Sequence, residues 1–217
     1  MTPAEAPRGL RDPAPLLAQS LNAWGGDRDL WVFGYASLIW RPEFTAAEQR
    51  AATVHGWHRA LVMRSHINRG TPQRPGLVFA LVLGGSCRGI AYRIDRERAA
   101  AELTRLWTRE MPTGVYDPRW LPCRTAQGSV EALAFTLSRG SPSYTGRLPD
   151  GQMLDILRSS RGRYGTTLEY LLETAASLRH CGVHDREIER LVALARAHGL
   201  VGGAAGEPGD LNDARSP

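Results

Sequence analysis

The alternation of apolar and polar positions changes character about two thirds of the way along the chain. Up to residue 137, short apolar runs are punctuated by Gly, Pro and charged clusters, the signature of strands and turns. Beyond residue 149, apolar residues recur at helical spacing. Leu30 to Phe33 reads as a buried strand, starting just after the charged run Asp27-Arg28-Asp29. Ala51 to Met63 reads as a long strand offering Val54, Trp57, Leu61 and Val62 to a core. Gly76 to Leu83 is continuously apolar, Gly84-Gly85-Ser86 turns the chain, and Cys87 to Ile94 returns, which predicts a hairpin. Val115 to Thr125 and Ser129 to Leu137 complete about six strands.

Helices fall at both ends and once in the middle. Pro13 to Trp24 places Leu16, Leu17, Leu21 and Trp24 at helical spacing and stops at Gly25-Gly26. Arg96 to Glu110 is amphipathic through Ala99, Leu103, Leu106 and Trp107. Asp95 is its expected N-cap and Met111-Pro112 its stop. Three further helices are expected near 149–160, 165–180 and 184–198. Strands first and helices last argue for an α+β fold rather than a doubly wound sheet.

Composition narrows this picture. The 217 residues suit one domain, expected over 13–200, between a flexible segment 1–12 and a disordered tail 201–217. No apolar run is long enough to span a membrane, and the first residues lack the apolar stretch of a signal peptide. Three widely separated cysteines fit a reducing cytoplasm better than a disulfide framework. The net charge of +5 is carried by scattered arginines, with no basic block and no interleaved aromatics, so neither nucleic acid nor a membrane is expected as partner. The six histidines offer no third and fourth ligand at suitable spacing, so no metal is expected.

Two places carry chemistry. In Leu30-Trp-Val-Phe-Gly-Tyr-Ala-Ser-Leu-Ile-Trp40, Gly34 interrupts an apolar run and small and hydroxyl-bearing residues follow. That is compatible with a loop whose backbone N–H groups meet a ligand, and equally with a bent core strand. Glu110 is the sharper signal. At 100° per residue it points between Leu103 and Leu106/Trp107, on the apolar face of its helix and in the last turn. Desolvation and the helix dipole both raise a carboxylate pKa there, as a general base near neutral pH requires. The competing reading has the helix end fray and Glu110 pair with Arg105 or Arg109. In the Gly-, Pro- and Arg-rich loop from Arg64 to Gly76, Arg69 is one candidate for an anionic group.

Taken together, these segments resemble a ChaC-type γ-glutamylcyclotransferase from about Leu30 to His198. The resemblance rests on Phe33-Gly-Tyr-Ala-Ser-Leu-Ile-Trp40, on Arg109-Glu110 closing a helix before Gly114-Val115-Tyr116, and on Gly56-Trp-His-Arg59. Arg69-Gly70, Gly89-Ile-Ala-Tyr92, Tyr144 after Ser-Pro, and Leu168-Glu-Tyr-Leu-Leu172 add to it. It implies a mixed barrel-like sheet surrounded by helices, acting on the small molecule glutathione without metal or nucleotide. Glu110 would be the general acid and base. Tyr35, Ala36, Ser37 and Leu38 would hold the γ-glutamyl group, Tyr116 and Tyr144 would offer hydroxyls, and Arg69 would meet the glycine end. The products would be 5-oxoproline and cysteinylglycine. Other γ-glutamyl amino acids or amines are the alternative substrates, and a non-catalytic binding module of the same fold is the alternative class. Two positions depart from the pattern. Ala36 stands where glycine is usual, which requires a negative φ. Thr166-Thr167 stand where an asparagine is often found before the leucine, so a supporting hydrogen bond does not carry over.

Overall fold

The computed structural model describes residues 11–202. Residues 1–10 and 203–217, which hold most of the expected flexible ends, lie outside the described residues. Helix α1 (Ala14–Trp24) ends at Gly25, whose φ of 82° lets its N–H donate back to Leu21. Strand β1 (Leu30–Gly34) leads into the one-turn helix α2 (Ser37–Trp40). The long strands β2 (Glu48–Ser65) and β3 (Gly76–Ile94) follow, then helix α3 (Arg96–Glu110). Strands β4 (Asp117–Thr125) and β5 (Gly128–Thr136) come next, then α4 (Asp150–Ser159). A two-residue pair, β6 (Arg161–Gly162) and β7 (Gly165–Thr166), precedes α5 (Thr167–His180) and α6 (Arg186–Ala197).

Five strands close into a barrel in the order β1-β3-β2-β4-β5, so the expected α+β fold with a mixed barrel-like sheet is what forms. Closure is made by short parallel pairings of β5, with β1 at Val32↔Leu133 and with β3 at Leu81↔Thr136. Neighbouring β1 residues enter two different cores because side chains alternate across a strand. Phe33 packs with the helices α4 to α6, whereas Leu30 and Val32 pack with α3 and the aromatic end of α1.

The expected hairpin over 76–94 does not form. Those residues are one 19-residue strand that stays paired to β2 along its length. Gly84 and Gly85 (φ 112° and 70°) lie opposite Gly56 (φ 80°), where the register jumps from His55↔Ser86 to Trp57↔Leu83. Left-handed glycines on both strands let the ribbon bend together without reversing. In a sequence, glycines at a paired bulge and glycines at a hairpin turn look alike.

One cap also differs from expectation. Asp95 does not cap α3; its carboxylate pairs with Arg93 at 3.2 Å. Asp29 Oδ1, from the loop before β1, takes the Arg96 N–H at 3.0 Å instead. At the start of α5, Thr166 and Glu169 form a reciprocal capping box. Thr167, fully buried, accepts from the Leu77 N–H at 3.0 Å and from the Ser160 hydroxyl at 2.7 Å. The threonine pair thus provides its own link between α5 and β3.

Candidate active site

The site is assembled where β1 stops. Gly34 does not have a positive φ, so its conformational freedom is not what the position uses. It is there for room: a Cβ would lie 2.9 Å from the Tyr92 ring and 3.1 Å from the Leu38 Cβ. Tyr92, on β3, donates its hydroxyl to the Leu38 carbonyl at 2.9 Å and so holds α2 against the barrel. Ala36 has φ −144°, the negative value that an alanine requires where glycine was usual. Among the described residues, no hydrogen bond uses the backbone N–H of Ala36, Ser37 or Leu38. Ala36 and Leu38 are buried beside Tyr35.

Glu110 occupies the last turn of α3, with its side chain 15% exposed. Its Oε1 lies 3.1 Å from Arg109 Nε. Both readings of this residue therefore hold at once: it pairs with Arg109, and it is largely withdrawn from water. Burial dominates and raises its pKa, with Arg109 opposing and Glu43 reinforcing. Arg109 reaches the Arg41 carbonyl and, at 3.5 Å, Glu43 Oε2. Glu43 has a left-handed backbone (φ 57°) and pairs in turn with Arg41. The loop after α2 is thereby tied to the end of the helix that carries the carboxylate. Arg109 also lines a cavity of 440 Å³ with Glu43, Phe44, Thr45 and Arg105. That cavity borders the ion pair and takes no lining from Tyr35 to Leu38.

Three buried phenols gather near Glu110. Tyr35 donates its hydroxyl to the Phe135 carbonyl at 2.9 Å. Tyr116 sits beside it, and Tyr170 arrives from α5, packed on Phe79 with ring centres 5.5 Å apart. Burial pushes all three pKa values well up, and the nearby Glu110 charge pushes each further. They are consequently neutral hydroxyls around one carboxylate at any ordinary pH.

The remaining expected residues are placed less directly. Arg69 is buried, with its guanidinium 4.9 Å above the Tyr170 ring. Its donors already serve the Tyr164 and Thr166 carbonyls, and Nη2 lies a loose 3.7 Å from Glu173. It therefore clamps the β6–β7 turn while adding positive charge behind Tyr170. Tyr144 is joined to Met63 by a single β-bridge and packs on the core that contains Tyr116. None of the hydrogen bonds among the described residues uses its hydroxyl.

Sequence reasoning did not assign three residues that the fold brings here. Tyr170 is one, although it lies within the quoted segment Leu168 to Leu172. Trp40 stands edge-on to Tyr170 at 6.4 Å, and its indole Nε1 is the buried side-chain polar atom without a partner among the described residues. Arg59, the last residue of the quoted segment from Gly56, donates to the Tyr35 carbonyl. Only the chain order of those segments pointed to them.

The sequence and the fold match known proteins. A family model described as ChaC-like protein matches residues 30–198. The chain belongs to the ChaC-like family. The glutathione-specific γ-glutamylcyclotransferase of Escherichia coli K12 is 34% identical over 180 residues, covering 82% of this chain and 78% of that protein. The mouse glutathione-specific γ-glutamylcyclotransferase 1 is 33% identical over 194 residues, covering 87% and 86%. A crystal structure of a γ-glutamyl cyclotransferase specific to glutathione from yeast superimposes with a TM-score of 0.72 at 19% identity, over 79% of this chain and 97% of that one. The ChaC-like fold thus accounts for the barrel and its helices.

Proposed function

We propose that this ChaC-like protein is a γ-glutamylcyclotransferase that cleaves glutathione to 5-oxoproline and cysteinylglycine. The observation that carries the proposal is a single, largely buried Glu110 with a raised pKa, set among neutral phenols near a loop with unused N–H groups. The names of its curated relatives support the same substrate.

The chemistry follows from these groups. The α-amine of the γ-glutamyl residue has a reference pKa of about 7.7–8.0 and must lose a proton to attack. Glu110, raised above an ordinary carboxylate, is matched to take it. The amine nitrogen forms a bond to the γ-carbonyl carbon of the same residue, closing a five-membered ring. Because nucleophile and electrophile belong to one molecule, the protein need only hold the near-attack geometry. The N–H groups of Ala36, Ser37 and Leu38 meet the oxyanion as it forms. The bond to the cysteinyl nitrogen then breaks as Glu110 returns the proton to that nitrogen, and the ring nitrogen gives up its second hydrogen as a proton to water, leaving the neutral lactam. Tyr35, Tyr116 and Tyr144 present hydroxyls to the γ-glutamyl group, and the Arg69 charge faces the glycine end.

Incubation of the purified protein with millimolar glutathione should release 5-oxoproline and cysteinylglycine in equal amounts. Absence of both products sinks the proposal. The cytoplasm is the proposed location, supported by the three free cysteines, of which Cys87 and Cys123 are buried with thiol pKa values pushed up to about 11 and about 12.

A further inference from the structure

Arg59 lies on β2, three residues beyond Gly56 at the bulge, and its side chain is only 1% exposed. It touches three separate parts of the fold. Nη1 donates to the Tyr35 carbonyl at the head of the cradle and to the Arg88 carbonyl on β3 at 3.2 Å. Nε and Nη2 both donate to Asp185 Oδ2, at 3.1 and 2.8 Å. The other Asp185 oxygen, Oδ1, caps α6 by accepting from the Glu187 and Ile188 N–H groups at 3.2 Å each. One carboxylate thus fixes both a helix start and the guanidinium.

The consequence lies in the peptide between Tyr35 and Ala36. It is trans and planar, so its C=O and N–H point in opposite directions. A charged donor holding the Tyr35 oxygen on one side turns the Ala36 N–H to the other, where no acceptor among the described residues meets it. The fork of Arg59 is rigid and its bonds are charge-assisted, so the orientation is set before any ligand arrives. A buried ion pair is by itself weak evidence for stability, because an apolar replacement is often neutral. What an apolar replacement cannot do is hold a carbonyl.

We infer that Arg59, braced by Asp185, is a positioning residue that orients the Tyr35–Ala36 peptide so that the Ala36 N–H faces the oxyanion formed on the γ-carbonyl. The role rests on the cyclotransferase reading above. It acts through the loop, and Arg59 itself touches no substrate.

The test compares wild type with Arg59→Lys, whose compact ammonium reaches Asp185 or the Tyr35 carbonyl but does not span both. Arg59→Met combined with Asp185→Asn serves where the lysine variant does not fold. That pair removes both buried charges, and asparagine keeps the α6 cap. Turnover of glutathione should fall by about 10- to 100-fold with KM within about threefold, since a misaimed N–H weakens the transition state more than the ground state. In ¹⁵N spectra of the folded variant, the Ala36 and Ser37 amide resonances should move while those of α1 stay. Turnover within about threefold of wild type in a folded variant overturns the inference. So does a loss that merely tracks the unfolded fraction, with the Ala36 resonance unmoved. Should the wild-type protein release no 5-oxoproline, the cyclotransferase reading fails and takes the oxyanion role with it, while the Ala36 resonance still decides whether Arg59 orients the peptide: unmoved rejects it, shifted upholds it.

Discussion

Arg109 Nε lies 3.1 Å from Glu110 Oε1, an ion pair between adjacent residues that does not bring the carboxylate back to ordinary behaviour. Burial outweighs the arginine, so the same residue is both paired and poised to carry a proton. Glu110→Gln should retain the fold and lose turnover by about 10²- to 10⁴-fold. Single-turnover assays with glutathione check this, and substantial remaining activity removes Glu110 as the base.

The raised pKa also has a stability consequence with a definite sign. A folded carboxylate with pKa above its ordinary 4.5 binds its proton more tightly than the unfolded chain does. Its contribution is fully present below the unfolded value and is lost as pH rises through the folded one. Relative to Glu110→Gln, the wild-type protein should therefore lose stability as pH climbs above about 4.5. Denaturant titrations of both proteins at pH 4 and pH 8 read this out, and a wild-type protein that gains stability relative to Glu110→Gln between the two contradicts it.

Arg109 and Glu43 act on Glu110 in opposite directions. The charged and titratable groups around the carboxylate are Arg109 from its own helix, Glu43 and Arg41 from the loop after α2, and the three phenols. Arg109→Gln should move the acidic limb of kcat/KM to higher pH, and Glu43→Gln should move it lower. A common direction for both variants would show that loop displacement, not charge, controls the limb.

Gly34 and Ala36 exchange the roles their residue types suggest. Gly34→Ala places a methyl 2.9 Å from the Tyr92 ring, disturbing the tyrosine that holds Leu38, and should cost about 1–3 kcal/mol and most of the activity. Ala36→Gly removes a buried methyl at a position whose backbone glycine also adopts, and should retain turnover. Thermal unfolding and product assays on the two variants check the contrast.

Thr167 carries the junction of α5 with β3. Thr167→Val keeps the shape and strips the acceptor from the buried Leu77 N–H and from Ser160, which should cost about 1–3 kcal/mol. Thr167→Ser should recover most of that loss. Equal destabilisation by both would assign the position to packing.

The fold class, nearly every element and the buried aspect of Glu110 were legible from periodicity and punctuation, because those signals are local. Three features misled for one shared reason. The Gly84-Gly85 turn is a bulge because Gly56 sits across from it, twenty-eight residues earlier. The α3 cap comes from Asp29, whose position relative to Arg96 depends on β1 pairing with β3. Gly34 is small because Tyr92 and Leu38 crowd it, not because its backbone is left-handed.

The candidate site divides in the same way. The chain on its own determined that a carboxylate would end a helix on its apolar face and that a small-residue loop would follow a buried strand. It did so because both are properties of neighbouring residues. Only the closed barrel decided that Tyr35, Tyr116 and Tyr170 would surround that carboxylate, and that Arg59 and Asp185 would grip the loop from behind. Those contacts join residues up to 135 positions apart, and burial and charge act through space without regard to chain distance.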